Sequence, residues 1–229
     1  MPDFQGNKAI CFPGSARFAG TARRWTALAC TFWLVVFLAG SAAWGGERVP
    51  PDPRIARLNH AGFKSRGHCT GFAIRQGALI TAAHCLPRIR TDTVHVLLGY
   101  ETGSLERHIK TPGASYRIMP GRDIAALCDI EDRSDGFRLT GTAPKAGTRV
   151  VVQGYGAPRA HALQKTACSV LSRPRDGRMR LDCPLPPGTS GAPVMLMGSR
   201  QVIGVVSASS AAGSLAYRLS AGMTGRLCK

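Results

Sequence analysis

From residue 69 onward the chain is a succession of short apolar stretches, at 69–75, 78–82, 94–99, 124–128, 150–155, 167–171, 179–183, 193–196 and 202–207. Gly, Pro, Asp or Ser fill nearly every gap between them. Short apolar runs with turn residues at both ends predict strands, and their close, regular succession predicts an all-β sandwich or barrel rather than alternating strands and helices. Ahead of them, Val49-Pro50-Pro51-Asp52-Pro53 reads as an extended linker, because proline fixes φ and removes a backbone donor. An acidic, turn-rich stretch at 129–136 separates two groups of strands and marks the expected division between halves. No internal repeat or low-complexity tract stands out.

The first 43 residues have a different character. Arg17, Arg23 and Arg24 precede an apolar run at 27–40, and Ser41-Ala42-Ala43 offers a cleavage site, so residues 1–43 read as an export signal. The run is short for a spanning helix, which needs about 20 apolar residues, though an uncleaved signal can still anchor. The expectation is a secreted or periplasmic protein. Residues 44–57 then form a linker or propeptide, and 186 residues remain once the signal is removed, enough for one compact domain or two small fused barrels.

Charge and cysteines refine this picture. The whole chain carries +17, and without the signal's four basic residues and Asp3 it carries +14. Such a surface attracts polyanions nonspecifically, but no long Lys/Arg run or basic-aromatic interleaving signals a dedicated nucleic-acid site. Cys11 and Cys30 leave with the signal, so Cys69, Cys85, Cys128, Cys168, Cys183 and Cys228 remain, an even number in an exported chain. They can pair in 15 ways. A zinc site built from His68-Cys69 and His84-Cys85 is disfavoured by oxidising export and by the missing short C-x-x-C spacing, so neither metal nor cofactor is expected.

Three motifs carry chemistry. Thr81-Ala82-Ala83-His84-Cys85 follows an apolar run, Asp123 opens the run Ile124-Ala125-Ala126-Leu127, and Gly188-Thr189-Ser190-Gly191-Ala192-Pro193 frames a serine with glycines. In this order they resemble the trypsin-like (chymotrypsin-fold) serine proteases, over roughly residues 58–219. The resemblance implies two six-stranded Greek-key β-barrels with the active site in the cleft, residues 58–136 carrying His84 and Asp123 and residues 137–229 carrying Ser190. A short C-terminal helix at 219–228 is also implied. So is a Cys69–Cys85 disulfide beside the histidine. Cys168–Cys183 then joins two strand-like segments, and elimination leaves Cys128–Cys228.

The residue types suit the reaction. A serine hydroxyl is a weak nucleophile and needs a base, and the imidazole of His84 is the candidate, a group type suited to reversible proton transfer. Asp123 orients the imidazole and stabilises its charged form. By resemblance, the N–H groups of Gly188 and Ser190 form the oxyanion hole, and protein or peptide is the substrate. Digestive members carry an aspartate directly before the nucleophile, to pair with a new N-terminus after zymogen cleavage. Thr189 stands there instead, so that activation route is not expected, and Pro184, Pro186 and Pro187 are expected to order the loop. Pro184 also replaces the acid that selects basic residues, and with Ser207, Ala208 and Ser209, and Ala216 and Tyr217 opposite, it predicts a pocket for small or apolar side chains. Gly154-Tyr155-Gly156 and His68 are expected to be structural, His68 in a surface loop. The competing function is a weak or inactive homologue that binds anionic surfaces.

Overall fold

The computed structural model describes residues 46–59, 67–75, 77–86, 93–112, 116–128, 130, 135–172 and 176–228. The expected export segment 1–43 and most of the acidic stretch 129–136 lie outside them. In chain order the strands are β1 (Glu47–Arg48), β2 (Ile55–Asn59), β3 (Cys69–Ile74), β4 (Ala78–Thr81), β5 (Thr93–Leu98), β6 (Arg107–Pro112), β7 (Tyr116–Ile118) and β8 (Ala125–Leu127), then β9 (Arg138–Leu139), β10 (Arg149–Gly154), β11 (Gln164–Ser172), β12 (Arg178–Leu181), β13 (Pro193–Leu196), β14 (Gln201–Ser210) and β15 (Gly213–Arg218). One helix, α1 (Ala221–Leu227), follows. No helix among the described residues is long and apolar enough to cross a membrane.

Two sheets result. The first runs β6-β5-β2-β3-β4-β8-β7 with every pairing antiparallel. The second runs β11-β10-β13-β14-β15-β12 and closes, because β12 pairs back onto β11. This is a six-stranded barrel, with β1 added beside β11 and β9 parallel to β14. The first sheet has seven strands rather than the expected six, and no closing pair is seen among its described residues. Residues 46–57, expected as linker or propeptide, supply β1, which pairs with the second barrel, and the start of β2.

Strand alternation builds three apolar clusters from few residues. Successive strand side chains point to opposite faces. In β3, Cys69 and Ala73 join a cluster inside the first sheet, while Phe72 and Ile74 join one that also holds Tyr155, Met195, Val202 and Val205 of the second half. In β10, Val150 and Val152 fill the second barrel, and Val151 packs against the shared layer. Burial on both faces explains the uninterrupted apolar runs, whereas β12, with one face in solvent, buries Met179 and Leu181 and exposes Arg178 and Arg180.

Three disulfides join Cys69 to Cys85, Cys168 to Cys183 and Cys128 to Cys228. The last has a sequence separation of 100 and fastens the end of α1 behind β8. On the chain-entropy account, a loop of that size adds about 4–5 kcal/mol of stability by restricting the unfolded chain.

Candidate active site

His84 and Asp123 meet because of strand pairing. β4 and β8 are antiparallel with Thr81 opposite Ala125, so the residues just after β4 and just before β8 emerge at the same edge. After β4 the chain makes a single 3-10 turn, Ala83–Cys85, which lifts His84 to that edge. The disulfide from Cys85 to β3 fixes the turn from the other side. Both carboxylate oxygens of Asp123 are then used. Oδ1 accepts the His84 backbone N–H at 2.8 Å, and Oδ2 lies 2.7 Å from the ring Nδ1. Ser207, from β14 of the other half, donates its hydroxyl to the same Oδ2.

These donors set the charge state of Asp123. Burial alone would push its carboxyl upward, but the hydrogen bonds from the His84 ring, Ser207 and the His84 backbone, with the attraction of His84, outweigh it. The group titrates below the usual carboxylate range and is ionised at neutral pH. A carboxylate at Nδ1 requires the ring proton there, which leaves Nε2 as an acceptor. The His84 side chain is 35% exposed, open to a substrate.

Ser190 arrives on a loop whose peptide planes are fixed one by one. Pro186 O accepts from Thr189 N–H, Pro187 O from Ala157 N–H, Thr189 O from Ala192 N–H, and Ser190 O from Thr70 N–H at 2.8 Å. Gly188 O accepts from the Thr70 hydroxyl at 3.0 Å, and Gly191 N–H donates to Val206 O. Among the described residues, the N–H groups of Gly188 and Ser190 donate to no protein acceptor. Two unspent donors flanking a serine can receive a developing oxyanion, and one such donor is worth about 3–4 kcal/mol in a transition state.

Two glycines make this loop possible. Gly188 has φ +99°, and a Cβ there would fall 2.2 Å from His68 Nε2. Gly191 has φ +84°, and a Cβ there would fall 2.1 Å from the Thr70 carbonyl oxygen. His68 is therefore no loose surface residue. It is half-buried against the loop, with Nε2 3.0 Å from Tyr155 O. Tyr155 is fully buried and donates its hydroxyl to Tyr100 O, so the Gly-Tyr-Gly segment supports the loop from behind.

One cleft of about 500 Å³ gathers His84 and Asp123 from the first half with Leu185, Pro186, Pro187, Thr189, Ser190 and residues 206–210 from the second. Cys85 Sγ lies 3.9 Å from His84 Nε2 and 3.8 Å from Ser190 O, so ring and serine flank one sulfur. Cys69, His84 and Cys85 do converge, but the two sulfurs are bonded to each other and are not thiolate ligands.

The rest of the expected pocket is only partly gathered. Pro184 is exposed just ahead of the wall, which Leu185, Pro186 and Pro187 make instead. Ala216 is buried inside the second barrel. Ser207, Ala208 and Ser209 line the cleft. Ser209 Oγ accepts the Leu185 N–H at 2.7 Å and lies 3.0 Å from Ser214 Oγ, which donates to Cys183 O at 2.6 Å. Sequence reasoning missed the contact of Ser207 with Asp123, as well as Thr70 altogether. Both are small hydroxyl residues inside apolar strands, and only the buried polar character could have flagged them.

Solved structures share the fold. The inactivated protease paralogue S-D1 of the scabies mite matches with TM-score 0.64 and 16% identity, over 80% of this chain and 94% of its own. HL collagenase matches with TM-score 0.63 and 21% identity, over 79% and 95%. The protease Anisep from Arthrobacter nicotinovorans matches with TM-score 0.63 and 14% identity, over 79% and 96%. At such identities the likeness establishes the fold alone, the chymotrypsin-like two-barrel fold. Comparison with curated protein sequences finds no match. The model of the trypsin-like peptidase domain covers residues 69–205, more than half of the sequence, and the chain belongs to that family.

Proposed function

We propose that this protein is an exported serine endopeptidase that works through an acyl-enzyme on Ser190. The observation that carries the reading is the His84–Asp123 pair, doubly hydrogen-bonded and facing the cleft that holds Ser190. Ser190 Oγ attacks the substrate carbonyl carbon while His84 Nε2 takes its proton, and the C=O π pair becomes an oxyanion received by the N–H groups of Gly188 and Ser190. Collapse breaks the C–N bond, and the imidazolium returns the proton to the leaving amine. Water then repeats the sequence on the ester, freeing the acid and restoring Ser190. Asp123 stays ionised throughout and keeps the ring in the required tautomer.

In this reading residues 1–43 are the export signal, 44–57 a lead-in segment, 58–136 the half bearing the base, and 137–229 the half bearing the nucleophile. Three disulfides suit an oxidising compartment, secreted or periplasmic. The basic surface adds nonspecific attraction to polyanions. The buried Thr189 cannot form the ion pair of zymogen activation, so no freed N-terminus is needed. A fluorophosphonate probe tests the assignment. The purified protein should label on Ser190, and Ser190→Ala should not. A folded parent that never labels would instead favour the inactive, polyanion-binding alternative.

Selectivity follows from the pocket wall. Ser209 ties the 183–185 segment to β15 through its hydroxyl, and among the described residues lining the cleft Asp123, already bonded to His84 and Ser207, is the one acid. Small or short apolar residues are the expected choice on the acyl side of the cut. A peptide panel should be cleaved after Ala, Ser or Val at least about tenfold faster than after Arg, the order expected when one or two kcal/mol of pocket contact decide. Cleavage confined to Arg peptides would refute it.

A further inference from the structure

We infer that Thr70 is the clasp that holds the serine loop in its working shape, a positioning residue acting through hydrogen bonds to Gly188, Ser190 and Tyr155 rather than through any contact with substrate. Three contacts leave this one fully buried residue of β3. Its N–H donates to Ser190 O at 2.8 Å, its hydroxyl donates to Gly188 O at 3.0 Å, and the same oxygen accepts the Tyr155 N–H at 2.9 Å. Its own carbonyl accepts the Thr81 hydroxyl at 2.8 Å, which fixes Thr70 to β4. The first half of the molecule therefore grips two segments of the second through one side chain.

Peptide geometry gives the clasp its consequence. The two unspent donors belong to the 187–188 and 189–190 peptides. The peptide between them, 188–189, is held at its carbonyl end by the Thr70 hydroxyl and at its N–H by Pro186 O. The peptide after them, 190–191, is held at its carbonyl end by Thr70 N–H and at its N–H by Val206 O. A planar peptide cannot turn one end alone. The donor-bearing peptides are themselves held at their carbonyl ends by Ala157 and Ala192 N–H, so with their Thr70-held neighbours fixed the Gly188 and Ser190 N–H groups have one direction to point, with no buried ion pair required. The hydroxyl is also irreplaceable by a methyl. It is donor and acceptor at once, and an isosteric hydrocarbon leaves the Gly188 carbonyl and the Tyr155 N–H unsatisfied in a buried place.

The kinetic half of this inference rests on the serine peptidase reading; the structural half does not, and the experiment separates them. Amide exchange read by mass spectrometry should show the hydrogen-bonded Tyr155, Thr189 and Gly191 amides exchanging at least about tenfold faster in Thr70→Val than in the parent, as local opening is eased. Thr70→Ser, which keeps the hydroxyl, should return exchange to the parent rate. With a peptide substrate, Thr70→Val should lower kcat/KM about 30-fold through kcat at near-constant KM, the signature of a lost transition-state interaction, and Thr70→Ser should recover to within about threefold. Thr70→Ala, which lacks the intruding methyl, takes the same measurements if the valine variant does not fold. Unchanged exchange in a folded hydroxyl-less variant overturns the clasp whether or not the parent is active. Faster exchange with unchanged kcat overturns its role in positioning. A parent that neither labels nor turns over refutes the Ser190 assignment, while the exchange comparison still decides the clasp.

Discussion

His84→Ala should lower kcat by about 10⁵- to 10⁶-fold with little change in KM, and the double variant with Ser190→Ala should be no slower than either single one. On the proposed mechanism nucleophile and base act as one unit: without the imidazole the serine proton has no acceptor, and without the serine the imidazole has nothing to activate. The residual rate is what the Gly188 and Ser190 N–H groups and substrate binding supply alone. Folding should survive, because the ring is 35% exposed and the Cys69–Cys85 disulfide and the 3-10 turn do not depend on it. Single-turnover kinetics on active-site-titrated protein, with circular dichroism to show the fold, make the measurement. Retention of activity to within tenfold of the parent, or single-variant losses that multiply in the double, would remove His84 from the chemistry.

The parts of this molecule that the sequence displays are those where burial and hydrophobicity coincide. β3, β4, β8, β10 and β14 are apolar on both faces or nearly so, and their runs announce them. β2 was not announced. It reads Ile-Ala-Arg-Leu-Asn, yet every residue is buried, with Arg57 Nε donating to Ala160 O and its guanidinium lying 5.7 Å from the Tyr100 ring. A buried arginine becomes legible only when its partners, 43 and 103 positions away in the chain, are in place. β6 exposes His108 and Lys110 on one face, and β15 mixes Ser, Tyr and Arg with its apolar residues, so both dilute the same signal. The candidate site behaves likewise. His84, Asp123 and Ser190 stand in motifs, and the structure brings them to one cleft. Thr70 and Ser207 act across the junction of the two halves, and nothing local marks them. Pro184 stands six residues before Ser190, where the resemblance places the selecting residue. A count cannot tell which neighbour turns inward, and Leu185 does.

Asp123→Asn should cost about 10⁴ in kcat at neutral pH while leaving the cleft standing. Three donors converge on the carboxylate: the His84 N–H on Oδ1, and the His84 ring and the Ser207 hydroxyl on Oδ2. An asparagine has one acceptor oxygen for them. If that oxygen keeps the His84 N–H, its NH₂ faces the ring and donates to Nδ1. The ring proton then moves to Nε2, which can no longer accept from Ser190. If the amide turns over, NH₂ meets the backbone N–H, donor against donor. Either way the loss falls on kcat. Stability supplies a second reading whose sign is fixed by the depressed carboxyl. A group with its folded pKa below the unfolded value stabilises fully above that unfolded value, about 3.9, and loses the contribution as pH falls through the folded pKa. Urea unfolding should therefore find the stability margin of the parent over Asp123→Asn shrinking as pH falls below about 4. A margin that held or widened below about pH 4 would mean that the carboxylate is not held ionised by His84 and Ser207.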